Sequence, residues 1–385
     1  MVNLQSAENA LKSFYLDAVK DSLNMKTNPF LAKIEPSTSN VFGKDVKKLV
    51  RIGLNGGVIS GSETGDLPKS DKRNCLQLTG TLKNLYGTIE ISDKAMRASM
   101  SNEGAFVNLL NDEMEGLLNS AKYNFGRMIM GDGSGELARV YRIEGERFFI
   151  DNVFAIQVGM RVRLLDDEHI PCEDNAVRTV EFIDRVNKYV LLSGDPVDVS
   201  FLGYIAIESD EDELTGLKAL FDKKNIYGLS EEDYKKISPK EFDIDDVFSE
   251  EKLMTLLDTI EQEVNAAPNL IICSFGVRRA IVHYYKERGV ALPSVEIEGG
   301  FKALSFNGIP IIADRFCDTG TLYAVNTNDF KLYQLCDWQW LENEDGKVLH
   351  QIPGKPVYTA TLVKYAELIC ENPAAQGRMI NIEEV

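Results

Sequence analysis

The residues of this chain that could do chemistry are few and far apart. Its three histidines are His169, His283 and His350. Glu168-His169 lies in the polar string "DDEHIPCED", and no second histidine follows at the i+4 spacing that presents two imidazoles to zinc from one helix face. His283 stands among apolar residues and tyrosines on a helical pattern, where a hydrogen-bonded packing histidine is expected. His350, near Lys347, is expected in a loop. Cys273 and His283 could be paired as nucleophile and base, but Cys273 ends a buried strand pattern and no third group is placed to orient the pair. Paired carboxylates recur throughout so acidic a chain and single out no site.

Glycine-rich stretches are the other candidates, because backbone N–H groups at such turns can close on a phosphate. In "NGGVISGSETGDLPKSDKRN", residues 55 to 74, Lys69-Ser70 follows Pro68, which has no N–H to donate, so a P-loop is excluded. Gly53, Gly56, Gly57, Gly61 and Gly65 lack the G-x-G-x-x-G spacing. "GDGSG", Gly131 to Gly135, follows a helical pattern, whereas a dinucleotide motif follows a strand and opens a helix. The acidic run "ESDEDE", residues 208 to 213, lacks the spaced ligands and central glycine of a calcium loop and is expected to be a solvated linker. The expected catalytic, cofactor-binding and metal-binding residues are therefore none, and the expected protein is not an enzyme.

Charge and composition narrow the classes further. The net charge is −18 over 385 residues. It is uneven: residues 1–100 carry 14 Lys and Arg against 10 Asp and Glu, while residues 151–250 carry 11 against 24. Most of the chain would repel phosphate, so sequence-specific DNA recognition is not expected, although an acidic wall can enclose nucleic acid without sticking to it. No stretch approaches the roughly 20 apolar residues of a membrane span. The six cysteines, at 75, 172, 273, 317, 336 and 370, form no C-x-x-C pair and suit free thiols in a reducing compartment. The first residues lack the apolar core of a signal peptide; Leu4, Ala7, Leu11, Phe14 or Tyr15, and Ala18 instead predict an amphipathic arm that lies on something.

The elements that must position these residues follow from periodicity. "VKKLVRIGL" from Val46 predicts a strand. Beyond the glycine stretch, Leu76, Leu78, Gly80 and Leu82 alternate, and Leu85, Gly87, Ile89 and Ile91 alternate on the opposite parity, which predicts strands with a bulge or bend near Asn84. The two arms form a long hairpin with a polar tip. From Glu103 to Met130, Phe106, Leu110, Met114, Leu117, Ala121, Phe125 and Met128 draw one stripe along a helix of about 40 Å, capped by Ser101, ended by Gly131 and packed on a sheet. "RVYRIEG", "RFFIDNV", "MRVRLL", "AVRTVEFID" and "KYVLLS" predict short strands, economically closed into a small barrel. Further on, Ser249 caps a helix with Leu253, Leu256, Leu257, Ile260 and Val264 inward; "NLIICS" is a buried strand; "FGVRRAIVHYYKERG" is a helix closed by Gly289; "GIPIIAD" and "TLYAVN" add strands. "FKLYQLCDWQW" and "GKPVYTATLVKYAELIC" predict long strands beside the first long helix, so that one domain uses both ends of the chain.

This order resembles the major capsid proteins of tailed bacteriophages, with the Hong Kong 97-type capsid fold. "LKNLYGTIEISDKAMRAS" is similar to the stretch from the extended loop toward the spine helix, and "NFGRMIMGDGSGEL" to the spine's end. "GGFKALSFNGIPIIADRFCDTGTLYAVNTNDFKLY" resembles the apical strands, and "YTATLVKYAELICENPAAQG" the closing strand. The resemblance implies an α+β chain divided into an amino-terminal arm (1–45), an extended loop with flanking strands (46–92), a peripheral domain with the spine helix (93–136), an inserted β-barrel (137–210), an apical α/β domain (211–330) and peripheral return strands (331–385). It implies self-assembly as hexamers and pentamers into an icosahedral virion capsid, built in the host cytoplasm around double-stranded DNA. Implied partners are further copies of the chain and portal, scaffolding and decoration proteins, with no membrane. Residues 55 to 74 become the tip of a loop that reaches across a neighbour and swings as the shell expands, with Lys69 and Lys72 placed for a covalent weld whose asparagine and assisting acid find no match here. The short arm implies a separate scaffolding protein. Other readings are an encapsulin-type shell of a cellular compartment, an α/β enzyme with a β substrate module, and a surface binding protein acting through the barrel.

Overall fold

The spine helix runs Glu103–Met130 and stops where Gly131 N–H bonds back to the Arg127 carbonyl at 2.9 Å. The computed structural model describes residues 11–25, 28–53, 60, 63, 75–100, 103–172, 176–198, 201–209, 213–264, 266–290, 292–297 and 301–385. Ser101 and most of the polar hairpin tip lie outside them. Leu110, Met114 and Phe125 of the predicted stripe are buried. The helix lies so close on the sheet that a Cβ at Gly87 would come 2.8 Å from Leu117 Cδ1. Alternate inward residues of the strand Lys83–Ser92 make that contact, since Leu85, Ile89 and Ile91 are buried while Tyr86 is exposed.

Lys83–Ser92 pairs antiparallel with the 14-residue strand Val357–Cys370, which also pairs with Phe330–Trp340 and with His350–Gln351. Glu35–Ser37 adds to Phe330–Trp340 in parallel. This peripheral sheet joins residues from both chain ends, as the periodicity predicts. The amino-terminal helix Leu16–Met25, with the π-helical turn Leu11–Tyr15 before it, packs across it. Its buried residues are Leu11, Tyr15, Val19 and Leu23. That four-residue spacing corrects the expected stripe at one position: Ala18 is exposed and Val19 faces the core.

The apical sheet runs Lys240–Asp246, Gly377–Ile382, Leu322–Val325, Leu270–Cys273, Ile309–Ala313, Phe301–Phe306, Ser294–Ile297. Leu270–Cys273 is apolar without interruption because both of its faces are covered. Ile271 and Cys273 pack with the helices Glu250–Val264 and Phe275–Glu287, and Leu270 and Ile272 with the main core. Two expected boundaries are corrected here. The chain does not return wholly to the peripheral sheet after residue 331, because Gly377–Ile382 inserts between two apical strands. Residues 214–237 are not apical alone: Leu214, Leu217, Ile226 and Tyr227 lie in the main core shared by peripheral strands and one face of the apical sheet, Tyr227 Oη accepting from Cys370 N–H at 3.0 Å and Phe221 meeting Tyr323 with centroids 5.4 Å apart.

The inserted module is a closed six-stranded barrel of Glu136–Glu144, Arg147–Ile150, Arg161–Asp166, Arg178–Asp184, Tyr189–Leu192 and Gly203–Ile207. The sixth strand was not predicted. It is short and passes between the first and third strands to complete the closure. The barrel has its own core, from Leu137 to Ile205, separate from the other two. Its entry and exit touch, with Ile207 N–H donating to Gly135 O at 3.0 Å and Glu213 N–H to Gly133 O at 3.0 Å. Replacing residues 136–208 by a short Gly-Ser linker is therefore expected to leave the other cores folded. Circular dichroism melting of the shortened chain should keep a cooperative transition; loss of that transition would show that the barrel is required for the rest.

Candidate assembly surface

The extended hairpin consists of Asp45–Arg51 paired in register with Cys75–Thr81, with Val41–Phe42 on its outer edge. Its base is held most tightly. Val46 and Leu78 are fully buried, Thr79 N–H donates to Tyr227 O at 2.8 Å, Lys48 pairs with Glu371 at 2.9 Å, and a Cβ at Gly80 would meet Ile369 Cδ1 at 3.0 Å. Leu82 N–H bonds to Lys44 O at 2.8 Å where the chain leaves this hairpin for the peripheral sheet. The expected break near Asn84 thus falls at Leu82, and it separates two sheets.

Outward from the base the ladder continues to Arg51 opposite Cys75 with two unlike faces: Val50, Ile52 and Leu76 still pack against the main core, while the opposite face is uncovered. Leu49 is 66% exposed, and Arg51 and Cys75 are exposed as well. On that open face Leu49 is an apolar side chain available to another surface. The tip, including Lys69 and Lys72, lies outside the described residues.

Near the surface, the peripheral sheet buries polar groups. The Lys364 ammonium is fully buried, bonded to Asp337 at 2.8 Å and Asn24 at 3.4 Å, and burial lowers its pKa. Glu367 is also buried. Its Oε1 accepts from Thr215 N–H at 2.8 Å and Leu368 N–H at 3.0 Å, yet loss of water pushes its carboxyl up to about 7. Burial likewise pushes Asp314 up to about 6.

The raised carboxyl makes stability pH-dependent. Because the folded state holds the Glu367 proton more tightly than the ordinary value of 4.5, its stabilisation is fully present below about 4.5 and is lost as pH rises through about 7. The difference corresponds to about 3 kcal/mol. Glu367→Gln keeps an acceptor oxygen and removes the titration, so the fall in unfolding free energy between pH 5 and pH 8 should shrink by about that amount. Urea titrations at the two pH values measure it, and equal slopes in parent and variant would refute it.

The candidate chemical residues are not brought together. His169 stacks on Tyr204 with centroids 4.7 Å apart and bonds Glu136 through Nδ1. His283 is exposed beside Glu287, which corrects the expected packing role. The loop expected at His350 is corrected too: it pairs with Thr359 in a short strand, and Nε2 lies 3.1 Å from Leu341 O. Cys273 is buried with its thiol donating to Ile312 O at 3.4 Å, and burial pushes it up to about 12, far from a reactive thiolate. Among the described residues no three His, Cys, Asp or Glu side chains are grouped to hold a metal.

The charged pair that organises this region was not singled out in the sequence. Arg127, in the last turn of the spine, makes a two-pronged bond to Glu213, with Nη1 to Oε2 at 2.7 Å and Nη2 to Oε1 at 2.5 Å. Both side chains are buried. The expectation of a solvated linker at 208–213 is thereby corrected at Glu213, whereas Glu208 is half-exposed and pairs with Arg161 at 2.8 Å. Residues 210–212 lie outside the described residues.

No family model matches the chain, and no curated protein matches its sequence. Solved structures do match its fold. The cyanophage A-1(L) capsid asymmetric unit superposes with a TM-score of 0.56 at 8% identity, over 92% of this chain and 92% of that one. The capsid of a native GTA particle gives 0.47 at 12% identity, over 90% and 88%. The holo-SrpI encapsulin complex from Synechococcus elongatus PCC 7942 gives 0.43 at 9%, over 91% and 85%. The chain has the α+β Hong Kong 97-type capsid fold.

Proposed function

We propose that this chain is a structural major capsid protein, assembling as hexamers and pentamers into an icosahedral phage head around double-stranded DNA, and that it catalyses nothing. The observation that carries the reading is the hairpin of Asp45–Arg51 and Cys75–Thr81, one face of which rests on the core while the other leaves Leu49 uncovered in the single subunit. A shared fold with a cyanophage capsid unit supports it. Each contact between copies can be weak, because closure of a multivalent shell multiplies it. The acidic body fits a container that holds DNA without gripping it. Portal, scaffolding and decoration proteins complete the proposed set of partners, and the virion capsid, assembled in the host cytoplasm, the proposed location.

Sedimentation and negative-stain microscopy of the full chain test this. Rings of five or six subunits, or closed particles, are expected. Leu49→Asp should abolish them while changing subunit stability by no more than about 0.5 kcal/mol, since the side chain is already solvated in the single subunit. A stable monomer that forms neither rings nor closed particles as its concentration rises would overturn the reading.

A further inference from the structure

The buried lysine of the peripheral sheet has no part in the shell reading. Lys364 is fully buried, and its ammonium reaches two partners, Asp337 Oδ1 at 2.8 Å and Asn24 Oδ1 at 3.4 Å. The same carboxylate also holds the Asn24 amide, whose Nδ2 donates to Asp337 Oδ1 at 3.1 Å and Oδ2 at 3.2 Å. An amine, an amide and a carboxylate bonded to both thus meet where the helix Leu16–Met25 crosses the sheet. Pairing of the strand Phe330–Trp340 shifts twice here, between Gln334 and Cys336 and again between Cys336 and Gln339. Bulges re-aim side chains, and these shifts bring Asp337 to the lysine. The Trp338 ring, 5.6 Å from Nζ, forms an apolar wall beside the amine. Burial favours the neutral amine, which is the nucleophilic form; Asp337 opposes that effect, and Lys20 on the arm helix adds to it.

We propose that Lys364 and Asn24 join in an amide bond within one subunit, with Asp337 as the acid and base of the step. The reacting groups lie within hydrogen-bond reach of one another and of the carboxylate, which makes the step effectively unimolecular. Asp337 takes a proton from the Lys364 ammonium, and the freed amine attacks Asn24 Cγ, the carbon bonded to Oδ1. As the tetrahedral intermediate collapses, the bond from Cγ to Nδ2 breaks, and Asp337 passes its proton to the departing nitrogen that it already touches. The second proton shed by Nζ follows by the same route. The lysine charge leaves as ammonium, Asp337 is a carboxylate again, and no oxidant or cofactor is consumed. The event occurs once per chain and turns over no substrate. It ties the amino-terminal helix to a strand 340 positions later, so that the helix cannot peel from the sheet.

Mass spectrometry of the intact full chain, after incubation at neutral pH, tests the assignment without requiring assembly. The chain should weigh less than its sequence by the mass of one ammonia, and a tryptic digest should contain one branched peptide joining residues 24 and 364. Asp337→Asn and, separately, Lys364→Met should each show the full sequence mass and no branched peptide. The full sequence mass in the parent would overturn the proposal whatever the variants do. So would an ammonia loss without the branched peptide, which marks a succinimide between Asn24 and Met25. A branched peptide that persists in Asp337→Asn would equally remove the carboxylate from the step.

Discussion

Glu213→Ala is expected to lower the unfolding free energy by about 3–5 kcal/mol, the largest effect of any single side-chain truncation considered for this chain. The reason is the environment of its partner. Arg127 is 6% exposed, and its Nε has no hydrogen-bond partner, so the two bonds to Glu213 are what compensates its removal from water. Without the carboxylate the guanidinium remains buried with its charge uncompensated, and unlike a lysine it cannot shed its proton. Arg127→Ala leaves the opposite defect and a smaller loss, because a stranded carboxyl can take up a proton. The double replacement Arg127→Met with Glu213→Leu should recover most of the stability, since a buried pair traded for apolar packing is often neutral. Glu208→Ala, at the solvent-accessible pair with Arg161, should change little by the same measure. Urea titration of dispersed subunits reads all four. A Glu213→Ala loss within about 1 kcal/mol of zero would mean that water reaches the pair and that it does not fasten the barrel exit to the spine.

The second large effect lies a few residues further on. Where the chain re-enters the body, a Cβ at Gly216 would stand 2.3 Å from Met128 O, 2.5 Å from Gly131 O and 2.7 Å from Ile129 O. All three are backbone atoms at the end of the spine, and none can turn aside as a side chain would. Gly216→Ala must therefore push the re-entering segment away from the helix. That movement also breaks Leu217 N–H to Ile129 O at 2.8 Å and Lys218 N–H to Met130 O at 3.2 Å, which cap carbonyls the helix leaves open. The expected loss is about 3 kcal/mol, at the upper end for overpacking. Gly116→Ala on the same helix has open space around the added methyl and should stabilise by about 0.5–1 kcal/mol. Opposite signs at two glycines would distinguish the backbone clash from a general intolerance of alanine, and a stable Gly216→Ala protein would show that the junction gives way.

Both effects were hidden in the sequence, and the reason is common to them. Glu213 ends an acidic run in which nothing local separates it from Glu208, and Gly216 sits in "ELTGLKAL" like any loop glycine. Their roles come from Arg127 and from the carbonyls of residues 128–131, more than 80 positions earlier in the chain. The same holds for "GRMINI", which was not read as a strand: nothing local says that it enters the apical sheet between Lys240–Asp246 and Leu322–Val325. His283 erred in the other direction, because the helix that carries it turns Ala280 and Ile281 inward and leaves the imidazole in water.

What the amino-acid order determined by itself was whatever repeats along the chain: the spine between residues 103 and 130, the parity break that parts hairpin from sheet, and five of the six barrel strands. These are properties of neighbouring residues, and a period of 3.6 or 2 expresses them directly. Only the tertiary structure decided which strands pair, which of several carboxylates loses its water, and that Asn24, Asp337 and Lys364 meet. Desolvation and close contact are set by atoms distant in sequence, so no local pattern carries them.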